Sequence, residues 1–170
     1  GRVMTREKVI GKDAWVGFDS WPPPGYLPTR FYLQPGAGLS QAPPPPGTPT
    51  RYRYDPMDPT PALGGARLML IEKKGPLDNR PLEARRDVLT STTPVLDSDV
   101  EVIGEVSAQI WFRSSRVSAD LFVRLCEVDE MGKSVNICDG LITVPNPTEL
   151  APVTVELSPT AYLFRAGRRI

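Results

Sequence analysis

The stretch Glu105-Val106-Ser107-Ala108-Gln109-Ile110-Trp111-Phe112-Arg113 decides the fold class, because it alternates with period two. Val106, Ala108, Ile110 and Phe112 fall on one face, and Ser107, Gln109, Trp111 and Arg113 on the other. An extended strand puts alternate residues on one side, whereas a helix would scatter these four apolar residues around its circumference. Val100-Glu101-Val102-Ile103 leads into the run through Gly104, where a bulge or bend is expected. Downstream, residues 121–128 and 134–138 flank Asp129-Glu130-Met131-Gly132-Lys133, which reads as a hairpin with a short glycine-containing loop. Val153, Val155 and Leu157 then alternate with Thr154 and Glu156.

The amino-terminal half is more broken. Arg30-Phe31-Tyr32-Leu33 reads as a short strand stopped by Pro35-Gly36. Gln41-Ala42-Pro43-Pro44-Pro45-Pro46-Gly47-Thr48-Pro49 is expected to be extended polyproline, a semi-rigid loop more than a ligand for a proline-binding domain. Arg51-Tyr52-Arg53-Tyr54 alternates as a half-buried strand would. Asp55-Pro56-Met57-Asp58-Pro59-Thr60-Pro61 cannot be helical, because each proline pushes its predecessor out of the α region. Gly64-Gly65 permits a tight bend, residues 67–71 suit a strand or a buried loop wall, and only residues 81–89 could carry a helical turn. Short strands separated by proline- and glycine-rich turns predict an all-β sandwich. A further strand is expected to begin at Arg168-Arg169-Ile170, so the sandwich is expected to be truncated at its C-terminal strands.

Composition then excludes much of enzymology. The 170 residues contain no histidine, and no Gly-x-Ser-x-Gly turn occurs. Ser-His-Asp and Cys-His hydrolysis need an imidazole to move the proton, and zinc hydrolases usually need one as a ligand. Twenty basic residues balance twenty acidic ones, which gives no electrostatic case for nucleic acid or an anionic membrane. No apolar run approaches the roughly 18 residues that span a bilayer. Two cysteines are not a disulfide framework, so a cytoplasmic setting is expected, with Cys126 and Cys138 as thiols even though a symmetric hairpin would place them opposite each other. The aspartates lack the spacing of a calcium loop and read as turn and cap residues, so no metal and no cofactor is expected.

A series of short motifs carries a resemblance. It starts with Tyr54-Asp55-Pro56-Met57-Asp58-Pro59-Thr60-Pro61-Ala62-Leu63-Gly64-Gly65 and continues with Gly75-Pro76-Leu77-Asp78-Asn79-Arg80, Glu83 and Arg86-Asp87-Val88-Leu89. Thr93-Pro94-Val95-Leu96, Ala119-Asp120-Leu121-Phe122, Asp129-Glu130-Met131-Gly132, Asp139-Gly140 and Pro159-Thr160-Ala161 follow. In order and spacing they resemble the C-terminal, non-catalytic domain of the cocaine esterase and Xaa-Pro dipeptidyl-peptidase family of serine hydrolases. The chain departs from that pattern at Gly167-Arg168-Arg169-Ile170, where the family usually has Gly-His-Arg-Ile, and in a shorter stretch over 141–152.

The resemblance implies a jelly-roll, galactose-binding-like sandwich over residues 29–170, preceded by a lead-in segment, 1–28, from an upstream α/β-hydrolase domain. That domain would supply the triad for cleaving a small ester or an amide after an X-Pro unit. This chain would be inactive alone. Leu68 and Met69 match positions that wall the acyl pocket in the esterase branch, and ordinary packing is the competing role for them. Trp15, Trp21 and Asp87 are the candidate domain-interface residues, with Asp87 expected to act beside Arg86. The resemblance also admits a homo-oligomer. The competing reading is an independent carbohydrate-binding jelly roll, in which exposed tryptophans, Trp111 among them, stack on sugars.

Overall fold

A computed structural model describes residues 5–12, 14–65 and 75–170. Among these the protein is all-β, with eight strands and one four-residue helix. The strands are β1 (Thr5–Val9), β2 (Ala14–Phe18), β3 (Tyr32–Gln34), β4 (Gly38–Ser40), β5 (Val100–Phe112), β6 (Ser118–Val128), β7 (Ser134–Pro145) and β8 (Ala151–Phe164). Helix α1 (Arg80–Glu83) follows β4, with a proline in its first turn, where the missing N–H costs nothing. β1 pairs antiparallel with β2 and β3 with β4, while β5 neighbours β8 and β6 neighbours β7. No helix among the described residues is long and apolar enough to cross a membrane.

Two compact units make up the chain. The first comprises the chain up to Tyr26, Glu101–Leu125 and Ile137–Leu163. The 105–112 alternation is realised there: Val106 and Ala108 turn inward, while Glu105, Ser107, Gln109 and Trp111 are exposed. Val106 and Ala108 pack with Leu121 and Val123 of β6, Cys138 of β7, and Val155 and Leu157 of β8, so both sheets contribute to one apolar layer. Each large apolar side chain fully buried this way stabilises by about 1.5–3 kcal/mol. Gly140 marks where the sheets press closest. A Cβ on it would collide with the Glu156 carbonyl oxygen and lie 3.0 Å from the Leu157 Cα. That close approach gives the Asp139-Gly140 pair a packing reason.

A second apolar cluster in this unit joins Val9, Ile103, Ala161 and Leu163, with Val16, Phe18, Trp21 and Tyr26 packed against it. The β1–β2 hairpin is tied to β8 by a parallel bridge, in which the Ile10 N–H donates to the Ala161 carbonyl and the Leu163 N–H to the Ile10 carbonyl, both at 2.9 Å. The Tyr26 ring meets Phe18 edge-on, and its hydroxyl donates to Glu101, which also takes Lys12 Nζ at 2.8 Å. Burial and that carboxylate push the Tyr26 phenol up to about 12. The β1–β2 hairpin is thus packed within this unit.

The second unit comprises Leu27–Val100, Cys126–Asn136 and Phe164–Ile170. Its buried side chains are Phe164 and the polar Asn79, Thr93, Ser134 and Asn136. The 129–133 turn closes as the sequence predicts, with Asp129 Oδ1 accepting from the N–H groups of Met131 and Lys133 at 2.9 Å. The chain's last residues are paired in this unit. Arg169 exchanges two 2.9 Å backbone bonds with Val128, and the Thr93 N–H donates to the Ile170 carbonyl at 2.9 Å. The Arg51-Tyr52-Arg53-Tyr54 run differs from expectation: it belongs to no strand, and all four residues are exposed. Its alternation is genuine, but no described strand lies alongside to give it a ladder.

Candidate functional site

The family-like loops of the second unit converge on one buried amide. Asn136 Oδ1 accepts from the Leu77 N–H at 2.8 Å and from Asn79 Nδ2 at 3.3 Å, while Asn136 Nδ2 donates to the Gly75 carbonyl at 3.1 Å. Gly75 and Gly65 exchange backbone bonds at 3.1 and 3.3 Å as an isolated antiparallel bridge. Gly64 is required twice over. Its φ of 64° is left-handed, and a Cβ there would lie 2.7 Å from Asn136 Oδ1. The Gly65–Gly75 bridge is thus held beside Asn136 through the Gly75 carbonyl. Leu68 and Met69 lie between these two glycines in sequence and outside the described residues.

The same network starts α1. The Asn79 N–H donates to the Ser134 carbonyl at 2.8 Å, and the Asn79 carbonyl accepts from Leu82 and Glu83. Ser134 Oγ donates to Glu83 Oε1 at 2.6 Å. Asp78 takes Arg80 Nη2 at 2.6 Å, and that bond holds its carboxyl below the usual carboxylate range.

Immediately after α1, Arg85 works as a two-sided clamp. Nε and Nη2 donate to the two Asp87 oxygens at 2.8 and 3.0 Å. Nη1 donates to Asp58 Oδ1 at 3.1 Å, and Nη2 also reaches the Asp58 carbonyl at 2.7 Å. Thr60 Oγ1 adds a 2.6 Å bond to Asp87 Oδ2. These bonds, Arg85 first and Thr60 second, hold the Asp87 carboxyl at a pKa of about 2. Asp87 thus ties the 55–61 proline loop to the end of α1. Its partner is Arg85, through a bidentate fork, whereas the neighbouring Arg86 is exposed.

The tryptophans part company. Trp21 is half-buried on the Val9 cluster, while Trp15 is 64% exposed, opposite Lys8 on the outer face of the β1–β2 hairpin. Trp111 is 65% exposed. On the β6–β7 hairpin, Arg124 bonds Asp139 at 2.8 Å and Thr143 bonds Asp120 at 2.6 Å. Those two rungs share a register that sets Phe122 opposite Leu141, both exposed, with the Arg124 guanidinium 5.1 Å from the Phe122 ring centre. No group of three or more Cys, Asp or Glu side chains among the described residues could hold a metal ion. Cys126 and Cys138 are thiols.

Sequence reasoning missed Asn136 and Ser134. Within 134–138 the polar positions are the buried ones and Val135 and Ile137 only half-buried, so an apolar-inward rule picks the wrong residues. The signal lay in the glycines, since the Gly64-Gly65 pair and Gly75, ten residues on, need a partner for the backbone they expose.

The chain is similar to known proteins along its length. The chain is 36% identical to a cocaine esterase from Rhodococcus over an alignment covering all of this chain and 33% of that protein. Its fold superposes on an α-amino acid ester hydrolase with a TM-score of 0.76 at 21% identity, covering 94% of this chain and 31% of that one. An aminopeptidase from the marine sediment archaeon Thaumarchaeota archaeon gives 0.73 at 20% identity, with 96% and 31% covered. The chain therefore spans about a third of the length of these relatives. Residues 2–170 match one family throughout, and the protein belongs to it: the X-Pro dipeptidyl-peptidase C-terminal non-catalytic domain.

Proposed function

We propose that this chain is the accessory domain of an α/β-hydrolase that cleaves small ester or X-Pro amide substrates, and that it frames the acyl pocket without contributing a nucleophile or a proton carrier. One observation carries the reading: a chain with no histidine has the fold and sequence of a domain that forms about a third of esterase-type relatives. In this reading Leu68 and Met69, which lie in sequence between the bridged Gly65 and Gly75, face the acyl group of a substrate bound by the upstream domain. Trp15, Trp21 and Asp87 lie at or brace the contact with that domain, and a cytoplasmic setting suits the two thiols. The purified 170-residue chain should hydrolyse neither p-nitrophenyl esters nor X-Pro amides. Turnover by a homogeneous sample would end the proposal.

A second reading, an independent carbohydrate-binding module, draws on the outward Trp15 and Trp111. It requires saturable sugar binding by calorimetry that is lost in Trp111→Ala.

A further inference from the structure

The Arg51-Tyr52-Arg53-Tyr54 alternation is the sequence pattern of a backbone covered on one side, yet nothing among the described residues covers it. It lies within residues 41–62, every one of which is exposed and none of which is helix or strand. The segment is nonetheless fixed at both ends. Gln34 Nε2 donates to the Ala42 carbonyl at 2.6 Å, and the Arg85 clamp takes Asp58 at the other end. Asp55 Oδ1 further caps the Met57 N–H at 2.9 Å. Fixing each residue's backbone costs about 1–2 kcal/mol, and apolar burial, the usual offset, is missing here. Tyr52, Tyr54 and Met57 are 44%, 54% and 89% exposed. Tyrosine, methionine and arginine are the types enriched at buried interface centres.

We propose that residues 41–62 are a docking arm whose Tyr52, Tyr54 and Met57 seat on the upstream catalytic domain of the same polypeptide, a role that rests on the accessory-domain reading above. The occupant follows from two facts. In the relatives this fold is about a third of a longer chain, so a covering surface is present in cis at high effective concentration. The Pro43-Pro44-Pro45-Pro46 run is a stiff spacer, suited to holding the arm against a surface already close by. The complementary surface carries apolar depressions for two phenol rings and a thioether, with carboxylates facing Arg51 and Arg53.

Methionine oxidation in the full-length polypeptide reads this directly. Met57, mapped by mass spectrometry after hydrogen peroxide treatment, should oxidise at least ~10-fold more slowly in the native polypeptide than in the same polypeptide unfolded in urea. The Tyr52→Ala/Tyr54→Ala variant should bring Met57 to the unfolded rate. An unprotected Met57 overturns the proposal, and so does protection that survives the double substitution. Protection lost on dilution would assign the arm to a second copy and overturn it equally. If Met57 is unprotected while Leu68 or Met69 substitutions still alter acyl preference, only the arm fails; if neither effect is seen, the accessory reading fails with it.

Discussion

The two units are held by different chemistry. In the first, Val9, Ile103, Val155, Leu157 and Leu163 are buried in clusters drawn from facing strands. In the second, Asn79, Ser134 and Asn136 are the buried centre, and ion pairs from Arg85 and Arg80 fix the loops around it. An apolar layer tolerates changes that conserve volume, whereas a buried amide with three partners tolerates almost none. The contrast suits a division of labour in which one unit supplies a rigid platform and the other a set of shaped loops.

Substitutions can break or sharpen that contrast. Gly140→Ala should have the largest effect, because its Cβ meets backbone that cannot rotate away. We expect a loss of about 4 kcal/mol or more by urea denaturation, enough to abolish a cooperative transition in a marginal domain. A loss below about 1 kcal/mol would mean that the sheets are not pressed together there. Asn136→Ala should cost about 3 kcal/mol, since it takes the side-chain acceptor from the Leu77 N–H and one bond each from the Asn79 amide and the Gly75 carbonyl, and leaves a cavity. Val155→Ala, in the apolar layer, should cost about 2 kcal/mol. If Val155→Ala proves the more damaging of these two, the polar network is not what secures the second unit.

The smallest effect is a pH dependence. Asp87 titrates at about 2 in the folded chain against roughly 3.9 unfolded, so its contribution is complete above pH ~4 and disappears as pH falls toward 2. The melting-temperature gap between the protein and Asp87→Asn should therefore be constant near neutrality and narrow over that acid window. A gap that stays the same down to pH ~2 would show that the Arg85–Asp87 pairing does not stabilise the loop.

How much of this was legible in the sequence differs by unit for the same physical reason. The strands of the first unit announce themselves, because burying one face forces period-two alternation on residues such as Val106 and Ala108. The hairpin at 129–133 was likewise readable from its glycine, and the helical turn Arg80–Glu83 falls at the start of the 81–89 stretch expected to carry one. The second unit's bonds are not periodic. Nothing local says that Asn136 meets Gly75 sixty-one residues away, or that Asp87 pairs with Arg85 and not Arg86. Only the recurring motif pointed to these loops, and it named the glycines without naming the amide they surround. The Arg51–Tyr54 alternation misled because a strand needs a neighbour to bond as well as a period of two, and no described strand lies beside it.

The most direct measurement is kcat/KM across an acyl series, from acetyl to benzoyl, in the full-length polypeptide carrying Leu68→Ala or Met69→Ala. A pocket wall contributed by this domain requires a selective loss on bulky acyl groups, on the order of tenfold relative to acetyl, as apolar contact is removed. A ratio unchanged along the whole series would contradict the account.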